Sequence, residues 1–270
     1  MRQWRLIYDS PAIGAWNMAV DEAILQAVSA GEQPPTLRVY AWDPFCLSLG
    51  YGQPVGDVDD VRLQAHGWHV VRRPTGGRAI LHGDELTYSV SLPIDHELAQ
   101  GDVIASYRRL SEALVAALMQ LGLTPQSEKQ AKSNGSSRGP VCFEVPSHYE
   151  ITSQGRKLIG SAQVRRKAGI LQHGTLPLYG DVGRICEALQ FDDEAAREAG
   201  KAKVRERAIT LSEALGSDVD WLTAADALVA GFSEAFGLTF EMGHLSESEL
   251  NCAEQLLQDV YTNTAWTAKR

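Results

Sequence analysis

Along the first third of the chain the spacing of apolar residues changes several times, and each change predicts an element. A short run at 4–8 reads as a strand. Behind it, Trp16, Ala19, Val20, Ala23, Ile24, Ala27 and Val28 recur at three- and four-residue intervals, which predicts a helix over 15–30 with that stripe in the core. Strands are expected at 37–42 and 46–49, a short helix at 58–66, and paired strands at 69–73 and 78–92, the second interrupted near Gly83. So dense a cluster of strands predicts a single sheet. A second stripe, Tyr107, Leu110, Leu114, Ala117, Leu118 and Leu121, marks a helix over 103–121 that stops at Gly122, the residue type expected just past a helix C-terminus.

The polar stretch SEKQAKSNGSSRGP, 127–140, carries no apolar period and is expected to be a mobile surface loop. Strand-like patterns resume at 148–152, 157–160, 162–166 and 169–177. From Asp181 onward the pattern turns helical, at 182–189, 211–215, 222–236 and 246–260, and a polar tail follows over 262–270. No internal repeat is present. Strands early and helices late predict an α+β fold, not an alternating α/β fold. Periodicity leaves open whether the helical end packs on the sheet or stands apart.

Composition narrows the class of protein. With 270 residues and 44% hydrophobic content the chain can bury a large core without staples. It contains no apolar run of membrane-spanning length, and its N-terminus lacks a signal-peptide layout, so a cytoplasmic protein is expected. Cys46, Cys142, Cys186 and Cys252 are scattered, with no zinc-like spacing, which predicts thiols rather than disulfides and no metal. The net charge of −9 argues against a general nucleic-acid binder, despite local basic clusters at Arg72, Arg73 and Arg78 and at Arg165, Arg166 and Lys167.

Three segments carry candidate chemistry. In RRPTGGRAILHGDELTYS, Gly76 and Gly77 would let a ligand approach the backbone, with Arg73 and Arg78 within reach of a carbonyl or phosphate; a plain hairpin with arginines reaching solvent is the bland alternative. In GRKLIGSAQVRRKAGILQHGTLPL, the small residues Gly160, Ser161 and Ala162 lie between apolar neighbours and His173-Gly174 interrupts a strand. Lys157 there is either a solvated edge charge or, if it points into a pocket, an ammonium able to polarise a thiol or carbonyl. In PVCFEVPSHYEI, Cys142 stands directly after the glycine- and serine-rich stretch, where a large substrate could reach it, whereas an isolated cysteine elsewhere is most often a small buried hydrophobe.

Together these segments resemble the lipoate-assembly branch of the biotin/lipoate protein ligase superfamily, over nearly the whole chain from Trp4 to about Tyr261. RRPTGGRAILH followed some eighty residues later by GRKLIGSAQ and QHGTL is highly specific to that superfamily. The resemblance implies a mixed sheet flanked by helices in a catalytic domain over 1–261, similar to class II biotin synthetase and lipoate ligase catalytic domains, with 262–270 as a polar C-terminal tail. It implies that the Arg73-to-His82 hairpin walls an acyl pocket, with Thr75, Gly76 and Gly77 close to a thioester carbonyl.

Two chemistries compete within the family. ATP-using ligases usually carry a third glycine after Gly-Gly, a His-Asp-x-Gly-Asn continuation and an Arg-Asn-Asp segment; here these read Arg78, His82-Gly83-Asp84-Glu85, and Cys142-Phe143 through Ser147-His148-Tyr149-Glu150. The pattern is more similar to the cysteine-dependent octanoyltransferases, whose thiol precedes a P-S-x-Y-E-I stretch. A second transferase type keeps its cysteine just before His-Gly, where this chain has Gly169, Ile170, Leu171 and Gln172.

The resemblance therefore implies octanoyl transfer from acyl carrier protein, through a Cys142 thioester, to a lysine of a lipoyl domain such as that of glycine cleavage H protein, with no cofactor. The alternatives it leaves are an ATP-dependent lipoate ligase, an amidotransferase taking octanoyl from H protein, and a non-catalytic acyl-binding module. Lys157 is expected to lower the Cys142 pKa from the free-thiol value of about 8.5 and later to accept a proton from the incoming amine. Gly76–Gly77 or Ser161–Ala162 amides are candidate oxyanion donors. His82 and His173 are expected either to line the pocket or to be hydrogen-bonded structural groups, and Gly174 to line it. The basic clusters near Arg73 and Arg165 are expected to dock acidic carrier and lipoyl domains.

Overall fold

Two sheets form where the strand pattern predicts one. The computed structural model describes residues 2–128 and 150–269. In chain order its first elements are β1 (Arg2–Tyr8), α1 (Gly14–Ser29), β2 (Thr36–Tyr40), β3 (Cys46–Leu49), α2 (Asp60–Ala65), β4 (His69–Arg72), β5 (Ile80–His82), β6 (Glu85–Pro93) and α3 (Val103–Gln120). Then come β7 (Gln126–Glu128), β8 (Glu150–Ser153), β9 (Arg156–Arg165), β10 (Gly169–Pro177), α4 (Glu194–Arg207), α5 (Leu211–Leu215), α6 (Trp221–Phe236), β11 (Leu238–Met242), α7 (Glu247–Leu256) and α8 (Thr264–Thr267). Among the described residues the larger sheet has the order β11-β1-β2-β6-β10-β9-β8-β7, and the smaller one β4-β3-β5. The large sheet is mixed: β1 runs parallel to β2 and β11, and its other pairs are antiparallel.

The β6 strand shows how the sheet divides the molecule. Leu86, Tyr88, Val90 and Leu92 point to one face, where they join Leu37, Val39, Leu110, Leu114, Leu118 and Phe232 in a core closed by α3 and α6. Each such side chain contributes roughly 1.5–3 kcal/mol when fully buried. The alternate positions Glu85, Thr87, Ser89 and Ser91 are polar, yet they too are at most 5% exposed. An antiparallel strand with this alternation ordinarily turns its polar face to water. Here that face is covered by α1, which packs under α7 in a second apolar cluster with Met18, Ile24, Tyr40, Trp42 and Ala253. The functional cavity lies on this polar face.

The expected hairpin over 69–92 is not one. β4 runs parallel to β3, β5 antiparallel to it, and β3 lies between them. Residues 73–79 therefore arch over the end of β3, and β6 leaves for the large sheet after Gly83. Strand pairing is a non-local choice that local pattern does not encode. The two strands expected at 157–160 and 162–166 are one, β9. Helix α4 falls outside the predicted elements because only Arg197 and Val204 of its residues are buried, so it carries no apolar stripe. The short edge strand β11 is also unpredicted.

The helical end packs on both faces, α6 against α3 and α7 against α1. The polar stretch after 261 is docked as well: the Trp266 indole donates to the Arg72 carbonyl at 2.9 Å, and the Arg72 guanidinium donates to the Thr267, Gly50 and Gln53 carbonyls at 2.7 Å each. Among the described residues no helix is long and apolar enough to cross a membrane.

Candidate active site

A cavity of about 340 Å³ opens between the polar face of the large sheet and the arch that follows β4. Its walls include Arg73, Gly76, Gly77, His82, Lys157, Gly160, Ser161, Ala162, His173 and Gly174, expected site residues brought together from two distant segments. Thr75 stands behind the wall, fully buried, and Cys142 lies outside the described residues. Arg78, expected beside Arg73, also lines it; Met18, Tyr40, Trp42, Ser48, Ile80, Thr87 and Thr175 complete the lining and were not among the expected site residues.

The arch is shaped by one guanidinium. Arg73 is 3% exposed, and its Nη1 donates to the Ser48 carbonyl at 3.0 Å while Nη2 donates to the carbonyls of Gly76 at 2.9 Å and Arg78 at 2.8 Å. Gly77 adopts φ +101°, and a side chain there would meet the guanidinium 2.8 Å away. Gly50 at the end of β3 lets the Gly77 carbonyl pass where a Cβ would stand 2.0 Å from it. Neither Arg72 nor Arg73 reaches solvent, both being spent on buried carbonyls, so of this cluster the half-buried Arg78 is left to meet an acidic partner.

Two parallel relays lead from Arg73 to buried carboxylates. Its Nε donates to Thr75 Oγ1 at 3.2 Å, and that hydroxyl lies 2.7 Å from His173 Nε2. The His173 Nδ1 faces Asp21 Oδ2 at 3.3 Å. On the other side Arg73 Nη1 donates to Ser48 Oγ at 3.1 Å, Ser48 lies 2.8 Å from His82 Nε2, and His82 Nδ1 lies 2.5 Å from Glu85 Oε1. Because each hydroxyl already accepts from Arg73 and each Nδ1 faces a carboxylate, we assign both imidazoles a proton on Nδ1 and an accepting Nε2. Both rings thus line the cavity and are hydrogen-bonded at each nitrogen. Burial holds the His173 pKa below its ordinary value against the pull of Asp21.

Asp21, from the middle of α1, collects the polar groups of this face. Its carboxylate accepts from Arg38 Nη1 and Ser89 Oγ at 2.8 Å each and from the Tyr40 hydroxyl at 2.9 Å. Burial alone would raise its pKa, but the hydrogen bond from His173 and the charge of Arg38 outweigh that and leave it below the ordinary carboxylate value. The other relay continues through Thr87, which donates to Glu85 Oε1 at 2.6 Å and accepts from the Trp42 indole at 2.8 Å, while Trp42 stacks on His82 with centroids 4.0 Å apart. The period-two row Glu85, Thr87, Ser89 was the available sign of this network, and Asp21 three residues from both Met18 and Ile24 on the buried side of α1 was another.

The opposite wall is ordinary ladder with one irregularity. Register runs Ile151 opposite Ile159 and then Thr152 opposite Lys157, so Leu158 is an extra residue on β9. Such bulges re-aim side chains. Leu158 and Ile159 both enter the core, and Lys157, 4% exposed, turns to the cavity on the side of Gly160. A Cβ on Gly160 would lie 3.9 Å from the Lys157 ammonium. The Ser161 hydroxyl is 2.8 Å from that of Tyr88. Gly174 is required by packing, since a Cβ there would meet the Gly160 carbonyl at 2.7 Å.

Comparison with known proteins places this arrangement. The family model for the lipoyl protein ligase A/B catalytic domain matches residues 14–233. Octanoyltransferase LipM of Kyrpidia tusciae is 41% identical over 276 residues, covering all of both chains, and Octanoyltransferase LipM of Symbiobacterium thermophilum is 41% identical over 278 residues, covering 99% of this chain and 98% of that one. Among solved structures, that of a bi-partite lipoate protein ligase and its E2 lipoyl domain from Thermoplasma acidophilum aligns with a TM-score of 0.83 at 26% identity, over 99% of this chain and 97% of the other.

Proposed function

We infer that the cavity is an acyl-transfer site that works through Cys142, from the premise that the chain belongs to the lipoyl protein ligase A/B catalytic-domain family. It is an octanoyltransferase of protein lipoylation, and its acceptors are lipoyl-domain proteins. The proposal concerns route and donor: octanoyl passes from octanoyl-acyl carrier protein to the Cys142 sulfur and from there to the ε-amine of a lipoyl-domain lysine, glycine cleavage H protein being one such acceptor.

The observation that carries this reading is the buried Lys157 facing a cavity floored by Gly160 and Ala162 and walled by Gly76 and Gly77. An octanoyl group has nine heavy atoms, and at liquid-like volumes of about 30 Å³ each it needs roughly 270 Å³. The cavity's 340 Å³ suits it. Cys142 precedes Glu150, the first residue of β8, by eight positions, and β8 pairs with β9 at Lys157. That short tether favours a thiol working beside the ammonium.

In the first half-reaction the Cys142 thiolate attacks the thioester carbon and the carrier's thiolate leaves, taking up a proton. An ammonium close by favours the thiolate form, by about 1.4 kcal/mol per pKa unit. In the second, the acceptor amine displaces Cys142 and gives up its proton, Lys157 being placed to relay it. Thioester exchange is nearly balanced and amide formation draws the sequence forward, so no ATP is consumed.

Incubation with octanoyl-carrier protein, read by intact-mass spectrometry, tests the route. A hydroxylamine-labile octanoyl adduct that is lost in Cys142→Ser is the expected result. Transfer to the acceptor that needs ATP and survives Cys142→Ser would overturn it in favour of a ligase, and an adduct formed only from octanoyl-H protein would reassign the donor.

A further inference from the structure

One polar group in the cavity has nothing to bond. Thr175 on β10 is 1% exposed, lines the cavity, and its hydroxyl has no hydrogen-bond partner among the described residues. Leaving a buried hydroxyl unsatisfied is costly, and such a group in a native site calls for a partner that binds there. Its place identifies the partner. Thr175 stands directly opposite Gly160 in the β9–β10 ladder, and directly opposed residues share a face with Cβ positions about 4.5–5.5 Å apart. From the other side, the Lys157 ammonium lies 3.9 Å from where a Gly160 Cβ would be. The missing side chain of Gly160 thus leaves a gap with the ammonium on one side and Thr175 as the neighbour across the ladder.

We propose that the acyl carbonyl seats over Gly160, between Lys157 and Thr175, and that the Thr175 hydroxyl donates a hydrogen bond to the oxyanion of the tetrahedral intermediates. An octanoyl chain has polar atoms only at its carbonyl end, so a donor meant for the substrate must meet it there. When the nucleophile bonds to the carbonyl carbon, the π pair moves onto oxygen; when the leaving sulfur departs with its bonding pair, the carbonyl re-forms. Thr175 transfers no proton in either half-reaction. Its hydrogen bond strengthens only while charge resides on oxygen, the condition for raising rate more than affinity. This deepens the proposed acyl transfer and rests on it for the identity of the acyl group, but it holds for a direct transfer as well as for one through Cys142.

The test uses Thr175→Val, Thr175→Ser and Gly160→Ala in the full-length chain, with octanoyl-carrier protein as donor and a lipoyl domain as acceptor. Thr175→Val keeps the shape and removes only the donor: kcat is expected to fall about 10²-fold with KM little changed, and the melting temperature to hold or rise. Thr175→Ser restores most of the rate. Gly160→Ala meets only Lys157 atoms, at 3.5 and 3.9 Å, so it folds, but its methyl occupies the carbonyl seat and transfer is lost.

A Thr175→Val protein with the wild-type rate would overturn the proposal, as would one whose melting temperature falls in step with its activity, which would mark a packing role. The thioester route fails separately: if wild type forms no adduct on Cys142 yet octanoylates the acceptor, that route is wrong, and a slow Thr175→Val still sustains the oxyanion assignment.

Discussion

The two walls of the cavity are built by opposite means. On the arch side the backbone is irregular, with Gly77 at positive φ and no ladder to hold it, and its shape is imposed by Arg73 and the two histidine relays. On the strand side the β9–β10 ladder holds the backbone, and side chains are left over for chemistry. Arginine and histidine are the residue types one first suspects of catalysis, yet here they are scaffold. Lysine and glycine from β9 and threonine from β10 line the cavity.

Paired substitutions of Arg73 and Lys157 would break this contrast most directly. Arg73→Met strips a buried donor from three carbonyls and two hydroxyls, and we expect a loss of about 4 kcal/mol or more in urea unfolding together with loss of activity. Lys157→Met should abolish transfer and cost less stability than Arg73→Met, because an ammonium has three donors where Arg73 uses five. Equal destabilisation by both would erase the distinction between the walls.

A smaller effect is expected from Asp21→Asn, which removes the charge that Arg38, Tyr40, Ser89 and His173 converge on. Arg38 keeps Asp9 at 2.7 Å, so the loss should be about 3 kcal/mol rather than more. Transfer should weaken through KM and kcat together, since the arch loses its anchor without losing a reacting group. A drop in kcat alone would assign Asp21 to the chemistry.

The smallest effect is on pH dependence. The His173 pKa is lowered in the folded state from the ordinary value of 6.5, so the unfolded chain binds the extra proton first as pH falls. Stability is then full above about 6.5 and declines below it. Asp21 contributes in the same direction at lower pH, because its lowered pKa gives stability that is present above the ordinary carboxylate range and lost as pH falls through its folded pKa. Unfolding free energies from pH 8 down to 5 should show the decline, and His173→Gln should flatten it; an unchanged slope in that variant would place the proton elsewhere.

Legibility of the fold followed burial. The stripes of α1 and α3 predicted their helices closely because each presents a continuous apolar face, whereas α4, with Arg197 and Val204 alone buried, offered no period to read. The site residues were legible as types and spacing: Arg73, Gly76, Gly77, Lys157, Gly160 and His173 do meet at one cavity. Their roles were not. Arg73 reads as a substrate ligand until its carbonyl partners are seen, and Thr175 was passed over because a threonine in a strand is unexceptional until its hydroxyl is found without a partner.

Local pattern was enough to determine the α+β class and the amphipathic helices, and the resemblance carried by the motifs named many of the residues that gather. Periodicity records how each residue relates to near neighbours along the chain, and the motifs carry their chemistry in residue type. Only the tertiary structure decided that β3 would part β4 from β5, that the polar row of β6 would be sealed under α1 rather than face water, and that the two histidines would be held between hydroxyls and carboxylates. Those outcomes depend on which distant segments pair and cover one another. A polar side chain has the same letter whether it meets water, a neighbour or a substrate, and only the packed fold selects among them.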